Sequence, residues 1–174
     1  MFSYSHYEST LRKYLDSGYF VSGFNELLKN DKKDKYMILR HDIDYSVELA
    51  LQAARVDYNC GIKSSFFFRV HAKGYNLFSF NNYKLLKEII SMGHEIGLHI
   101  EPTVPYLLKE DVFSFLDRQK IVLESIIGDK IVGVSTHEPA RMGSPSLVED
   151  RLKRWGLKYH AYEKQFFKDI KYIS

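Results

Sequence analysis

The sequence contains only one cysteine, Cys60, among its 174 residues. A single cysteine rules out a disulfide bond within the chain and fits a reducing compartment. The first 19 residues lack a basic segment followed by an apolar one, so no secretory signal is visible. No run approaches the roughly 20 apolar residues that a membrane-spanning helix needs. We therefore expect a cytoplasmic protein without a membrane span.

The chain also lacks a strong charge of one sign. The formal net charge is +3, the basic residues are scattered, and even the run "KNDKKDK" at 29–35 mixes acids with bases. This balance argues against a nucleic-acid partner, and the mixed run is typical of a solvated loop. Internal repeats, low-complexity segments and linkers rich in proline, glycine or serine are absent. We expect residues 1–174 to form a single domain.

Helices and strands are predicted to alternate along the chain. Residues 4–29 carry an approximate apolar stripe at helical spacing, which predicts one helix. Further strands are predicted at 36–42, 63–70, 94–100, 130–136 and 157–162, and further helices at 46–59, 81–93, 111–128 and 144–156. Strands separated by helices indicate βαβ units, and therefore an α/β fold with a parallel sheet or barrel.

Polar residues follow the predicted strands where each strand ends. They are His41, Asp42 and Asp44, then Arg69 and His71, then His99 and Glu101, and finally His137 and Glu138. Parallel strands bring their carboxyl ends to one edge, where active sites of α/β folds gather. The remaining histidines, His6, His94 and His160, are interpreted as surface or packing residues, and His71 as structural.

Carboxylates and imidazoles suit Zn²⁺ or a similar divalent metal, which needs about three protein ligands and an open position in a catalytic site. Asp42 and Asp44 are two residues apart and point to the same side of an extended chain. One aspartate, His99 and a further histidine or carboxylate would hold the metal. The other aspartate would accept a proton as general base. The alternative for Asp44 is capping of the helix that follows it.

The motifs "LRHDID" (39–44), "GIKSSFFF" (61–68) and "GHEIGLH" (93–99) resemble the polysaccharide deacetylase (NodB-homology) superfamily. They are most similar to the branch found with bacterial surface-polysaccharide genes. The resemblance implies a distorted (β/α)-barrel and a metal-dependent hydrolase, with zinc as the expected metal. It also implies a carbohydrate substrate, from which an N- or O-linked acetyl group is removed.

The resemblance assigns roles residue by residue. Asp42 matches the catalytic base and Asp44 the metal-binding aspartate, although Ile43 separates two residues that are adjacent in the family, so the roles are open to exchange. His99 matches the first histidine of the family's metal-binding pair.

Thr103 stands where the second histidine of that pair belongs. His137, in "STHEP", or Glu101 would replace it, and we favour His137. Arg40 or Arg69 would keep Asp42 ionised, and Arg69 is included among the predicted catalytic residues.

The end of the chain also departs from the family. Its catalytic acid is a histidine in a late "LxH" motif, whereas Leu157 and His160 have a different spacing. We therefore expect an incomplete barrel, and a homo-oligomer that covers the exposed sheet edge. The alternatives to a deacetylase are an inactive domain that binds carbohydrate or acts as a scaffold, and a hydrolase of another carbon–nitrogen bond.

Overall fold

A computed structural model of the chain describes residues 3–30, 35–137 and 153–167. The helices are α1 (Tyr4–Asp16), α2 (Phe24–Lys29), α3 (Val47–Asn59), α4 (Phe80–Ser91), α5 (Thr103–Leu108) and α6 (Val112–Ile127). The strands are β1 (Phe20–Ser22), β2 (Tyr36–Ile38), β3 (Arg40–Ile43), β4 (Ser65–Phe68), β5 (Glu95–Ile100), β6 (Gly133–Thr136) and β7 (Tyr159–His160). None of the described helices combines the length and apolar character needed to cross a bilayer.

The strands form two parallel sheets. The larger has the order β3-β4-β5-β6-β7, and β1 pairs with β2 in the smaller one. The prediction of an α/β fold with parallel strands and an incomplete barrel is confirmed. No strand pairing joins β3 to β7 among the described residues, so the barrel is not closed there.

The larger sheet is nevertheless strongly curved. Asp42 on β3 and Ser135 on β6 stand three strands apart, yet their side-chain oxygens lie 3.4 Å from each other. In a flat sheet these strands would be about 14 Å apart, since neighbours are about 4.8 Å apart. Arg40 on the edge strand β3 also donates a hydrogen bond at 3.2 Å to the hydroxyl of Tyr162, which follows the opposite edge strand β7. The curvature therefore brings side chains from distant strands into one interior.

The prediction of one helix over residues 4–29 is wrong. Helix α1 ends at Asp16, and Gly18 takes a φ of +80°, a left-handed conformation that terminates helices and favours glycine. The chain then forms β1, which pairs with β2 from Phe20↔Tyr36 to Ser22↔Ile38. Residues 20–22 form a strand because they pair with β2, although the apolar residues of this segment have helical spacing.

Two other predicted elements differ from the structure. The strand predicted at 36–42 is divided at Leu39, whose N–H donates to Ser22 in the small sheet while its carbonyl accepts from Ser65 in the large sheet. The strand predicted at 157–162 shortens to Tyr159–His160. Most of the helix predicted at 144–156, together with Glu138, lies outside the described residues.

The large sheet is buried on both faces. Its outer face, which includes Phe66, Phe68, Leu98 and Val134, packs in one core with α3, α4 and α6. Its inner face carries a smaller aromatic core formed by Phe24, Phe67, Tyr159, Ala161 and Phe166. The apolar run of β4 fits a central strand covered on both sides, because Phe66, Phe67 and Phe68 are all 0% exposed.

Two glycines make room for the rings of the inner face. A Cβ added to Gly97 would lie 2.4 Å from the Phe67 ring, and one added to Gly133 would lie 2.0 Å from the Tyr159 ring. Both distances are far shorter than van der Waals contact. The glycines of β5 and β6 therefore let two aromatic rings fill the interior below the strand ends.

Candidate metal centre

Three side chains from three strand ends converge above this aromatic layer. Oδ1 of Asp44, just after β3, lies 3.8 Å from Nε2 of His99 on β5. Nδ1 of His137, just after β6, lies 3.2 Å from the same Asp44 oxygen and 3.3 Å from His99 Nε2. The residues are separated by up to 93 positions in sequence, and the curved sheet brings one potential ligand atom of each into a single group.

The donor set and its spacing fit a divalent metal. Zinc binds imidazole nitrogen and carboxylate oxygen at about 2.0–2.2 Å in tetrahedral geometry, which places neighbouring ligand atoms about 3.4 Å apart. The three separations of 3.2, 3.3 and 3.8 Å bracket this value. Three protein ligands leave the fourth position for water or substrate.

His99 is prepared to act as a neutral ligand. Its Nδ1 lies 3.2 Å from the Ser135 carbonyl, which can only accept, so Nδ1 carries the proton and the Nε2 lone pair faces the cluster. The side chain is 2% exposed. Burial lowers the pKa of His99 below its ordinary value, although Asp42 and Asp44 act in the opposite direction. The neutral imidazole, which has no proton on Nε2 and can therefore bind a metal through that atom, is favoured.

Asp42 lies beside the three-residue group with one oxygen already held. Its Oδ2 is 3.3 Å from Arg40 Nη2, 3.4 Å from Ser135 Oγ and 4.0 Å from His99 Nε2. Its Oδ1 is buried and has no hydrogen-bond partner among the described residues. A buried carboxylate oxygen without a partner is costly unless a ligand or water meets it. This oxygen therefore has room in its hydrogen bonding for a ligand or a water molecule.

Arg69 occupies a different place from the one expected of a cation beside Asp42. Its guanidinium pairs with Glu101, and its Nη1 donates to Asp44 Oδ1 at 3.4 Å. The cation found 3.3 Å from Asp42 is Arg40. Of the two arginines considered, Arg40 therefore forms the ion pair with the candidate base Asp42. Arg69 instead links Glu101 to the candidate metal ligand Asp44.

Other predicted residues lie around the group without joining it. Glu101 is held by Arg69, and Thr103 begins helix α5. Capping of α3 is performed by Ser46, whose side chain accepts from the Leu49 N–H, so Asp44 is not the cap. His71 is exposed, and its Nδ1 lies 2.9 Å from the Gln119 side-chain nitrogen on α6.

Sequence reasoning missed Ser135. Its carbonyl orients His99 and its hydroxyl reaches Asp42, so one residue supports both the candidate ligand and the candidate base. The signal was present, because Ser135 lies on a predicted strand two positions before His137, and residues two apart in extended chain share a face. Hydroxyl residues are too common on strands for that signal to be specific.

The chain has a polysaccharide deacetylase-like fold, as two matches to solved structures show. Among solved structures, the chain is similar to IcaB from Ammonifex degensii, with a TM-score of 0.67 and 17% sequence identity over 91% of this chain and 75% of that one. It is also similar to the deacetylase PplD from Streptococcus pyogenes, solved in complex with acetate, with a TM-score of 0.54 and 15% identity.

The match to PplD covers 76% of this chain and 61% of that one. No protein-family model matches the chain, and no curated protein sequence matches it either. At these identities the structural matches establish the fold, and the site has to be argued from its own residues.

Proposed function

We propose that the chain is a metal-dependent hydrolase that removes an N- or O-linked acetyl group from a sugar or polysaccharide precursor. The observation that carries this proposal is the group formed by Asp44, His99 and His137, with separations of 3.2, 3.3 and 3.8 Å between their ligand atoms. The buried, unpartnered oxygen of Asp42 beside it adds the base that hydrolysis needs.

Asp44, His99 and His137 would hold the metal. A divalent metal in such a site polarises a carbonyl and makes water more acidic. Asp42 Oδ1 would accept the proton of the attacking water, while Arg40 at 3.3 Å offsets the negative charge on the other oxygen. Ser135 keeps both carboxylate and imidazole in place through its hydroxyl and its carbonyl. Zinc is the metal that this oxygen and nitrogen donor set favours.

An inactive domain that binds carbohydrate is the alternative, and Thr103 favours it, because the family has a metal-binding histidine at that position. The position of His137 favours activity, since it completes a set of three ligands without Thr103. The two functions differ in whether acetate is released.

The test measures acetate release from N-acetylated and O-acetylated amino sugars by the zinc-loaded protein, with glycan binding measured in parallel. Asp42→Asn preserves the shape of the side chain and removes the base, so we expect turnover to fall by about 10²–10⁴-fold while the metal stays bound. Glycan binding without acetate release, in the wild-type protein at every substrate tried, would establish the inactive domain instead.

A further inference from the structure

A buried hydrogen-bond network lies on the outer side of β3, behind the candidate site. At its centre is Asp57 on α3, which is 0% exposed. The Tyr7 hydroxyl donates to its Oδ1 at 2.7 Å, and the Ser64 hydroxyl donates to its Oδ2 at 2.5 Å. His41 on β3 places its Nε2 at 2.9 Å from the same Oδ2. Three segments distant in sequence are thereby fixed to one carboxylate.

The network continues to a second histidine, His94. Its Nδ1 accepts from the Ser64 N–H at 3.2 Å, and its Nε2 donates to the Ala54 carbonyl at 2.9 Å. This arrangement requires a neutral ring with the proton on Nε2. Burial lowers the pKa of His94, which agrees with the neutral form. His94 is therefore bound on both sides by backbone groups.

The two histidines are alike in their surroundings and differ in the strand they belong to. Both contact the Phe66 ring, His41 stacked at 4.4 Å between centroids and His94 edge-on at 5.2 Å. His41, however, lies within β3, directly between Arg40 and Asp42. His94 precedes β5.

Alternation along β3 connects the network to the site. The His41 side chain points to the outer face, and Arg40 and Asp42 on either side of it point to the interior. A strand can satisfy the outer contacts of His41 only in one register and rotation, and a shift by one residue would turn Asp42 out of the interior. The hydrogen bond of His41 on the outer face of the sheet therefore fixes the direction of the Asp42 carboxylate on the inner face.

We propose that His41 is a positioning residue for Asp42, acting through its hydrogen bond to the buried Asp57. The inference rests on the proposed hydrolase function for its kinetic consequence, but its structural content stands alone: loss of the His41–Asp57 bond lets the Asp42 carboxylate move. Partners of this kind behind a catalytic group typically contribute about 10–100-fold to activity.

The matched variants are His41→Phe and His94→Phe. Each removes one imidazole from the same network and keeps a ring against Phe66, and we expect both to lower the melting temperature. Only His41→Phe is expected to lower kcat, by about 10–100-fold, with KM and zinc affinity within about threefold of wild type. His41→Gln retains an N–H donor for Asp57 and should recover most of the lost kcat.

Equal loss of kcat in the two phenylalanine variants, or kcat within about twofold of wild type in His41→Phe, would overturn the proposal. Should His41→Phe not fold, Asp57→Asn exchanges one accepting oxygen for a donor and is expected to give the same loss of kcat.

Determining crystal structures of the wild type and of the folded variant would test the proposal without an activity measurement. We expect the Asp42 carboxylate to move by more than about 0.5 Å, the tolerance of a catalytic constellation. An unmoved carboxylate overturns the positioning role. A wild-type protein that releases no acetate refutes the deacetylase function, and the carboxylate position then still decides this proposal.

Discussion

Arg40 Nη2 lies 3.3 Å from Oδ2 of Asp42, two residues further along the same strand. Residues two apart on a strand share a face, so β3 supplies both the candidate base and the cation that neutralises it. Arg40 is itself held by Tyr162, whose hydroxyl accepts from it at 3.2 Å and whose ring centre lies 4.8 Å from the guanidinium carbon. The charge beside the base is therefore fixed in position.

Replacement of Arg40 tests the role of this charge. We expect Arg40→Met to lower kcat by about 10–100-fold, because the cation that forms an ion pair with Asp42 is lost. Arg40→Lys keeps the charge without the planar guanidinium and should lose less. Steady-state kinetics on an acetylated amino sugar measure the effect, with zinc content as the control. Unchanged kcat in Arg40→Met would show that Asp42 does not depend on this partner.

Replacement of Glu101 separates the two candidates for the third metal ligand. Glu101 is occupied by Arg69, so Glu101→Gln should leave zinc affinity within about threefold of wild type. Competition with a chromophoric chelator measures the affinity. A loss of zinc affinity of about 100-fold or more would identify Glu101 as a ligand and remove His137 from that role.

Adding a side chain at a glycine of the inner face should destabilise the protein. In Gly97→Ala the new Cβ would lie 2.4 Å from the Phe67 ring, and we expect unfolding to become easier by about 1–3 kcal/mol. Denaturant titration measures the change. The double variant Gly97→Ala/Phe67→Leu should recover part of the stability that the two single changes lose, because the smaller side chain relieves the overlap. Additive losses would contradict this packing account.

The burial of His160 should make the stability of the protein sensitive to acid. Its side chain is 5% exposed, and burial, with a smaller effect of the Arg40 charge, lowers the pKa of His160 to about 4. Its Nε2 lies 2.8 Å from the Thr136 hydroxyl, and its Nδ1 accepts from the Tyr162 N–H at 3.4 Å. The ring is therefore neutral in the folded protein and would have to lose an acceptor role to become charged.

The unfolded chain binds a proton at His160 at a higher pH than the folded chain does. The contribution of neutral His160 to the free energy of unfolding is fully present above about pH 6.5. It is lost as the pH falls toward 4, and the total loss is roughly 3 kcal/mol. His160→Gln should remove this part of the pH dependence. Denaturant titrations of wild type and variant at several pH values between these limits give the comparison. Parallel pH profiles for the two proteins would contradict the buried neutral ring.

The sequence was sufficient for the elements that determine the fold class. Helices α3, α4 and α6 carry apolar residues at helical spacing, and the β4 and β5 strands are each followed directly by a charged residue, Arg69 and Glu101. The exchange of Phe20–Ser22 from helix to strand was not predictable, because a three-residue strand depends on pairing with Tyr36–Ile38 rather than on its own pattern.

The candidate site was predictable in outline. Asp44, His99 and His137 could be grouped because parallel strands present their ends at one edge. The sequence left open whether Arg40 or Arg69 is the cation beside Asp42, because both lie close to predicted strand ends, although Arg40 is two residues from Asp42 on one strand and shares its face. The contact between Asp42 and Ser135 at 3.4 Å could not be predicted, because it depends on the curvature of the assembled sheet. The expected homo-oligomer, cytoplasmic location and single-domain organisation stay predictions.

Equilibrium titration of the metal-free wild-type protein with Zn²⁺ tests the central claim most directly, with His99→Ala and His137→Ala as matched variants. The account predicts one tightly bound ion per chain, and a loss of affinity of at least about 100-fold in each variant, since each removes one of three ligands. A wild-type protein that binds no divalent metal, or one whose affinity is unaffected by either substitution, would contradict the convergence of Asp44, His99 and His137 on a single ion.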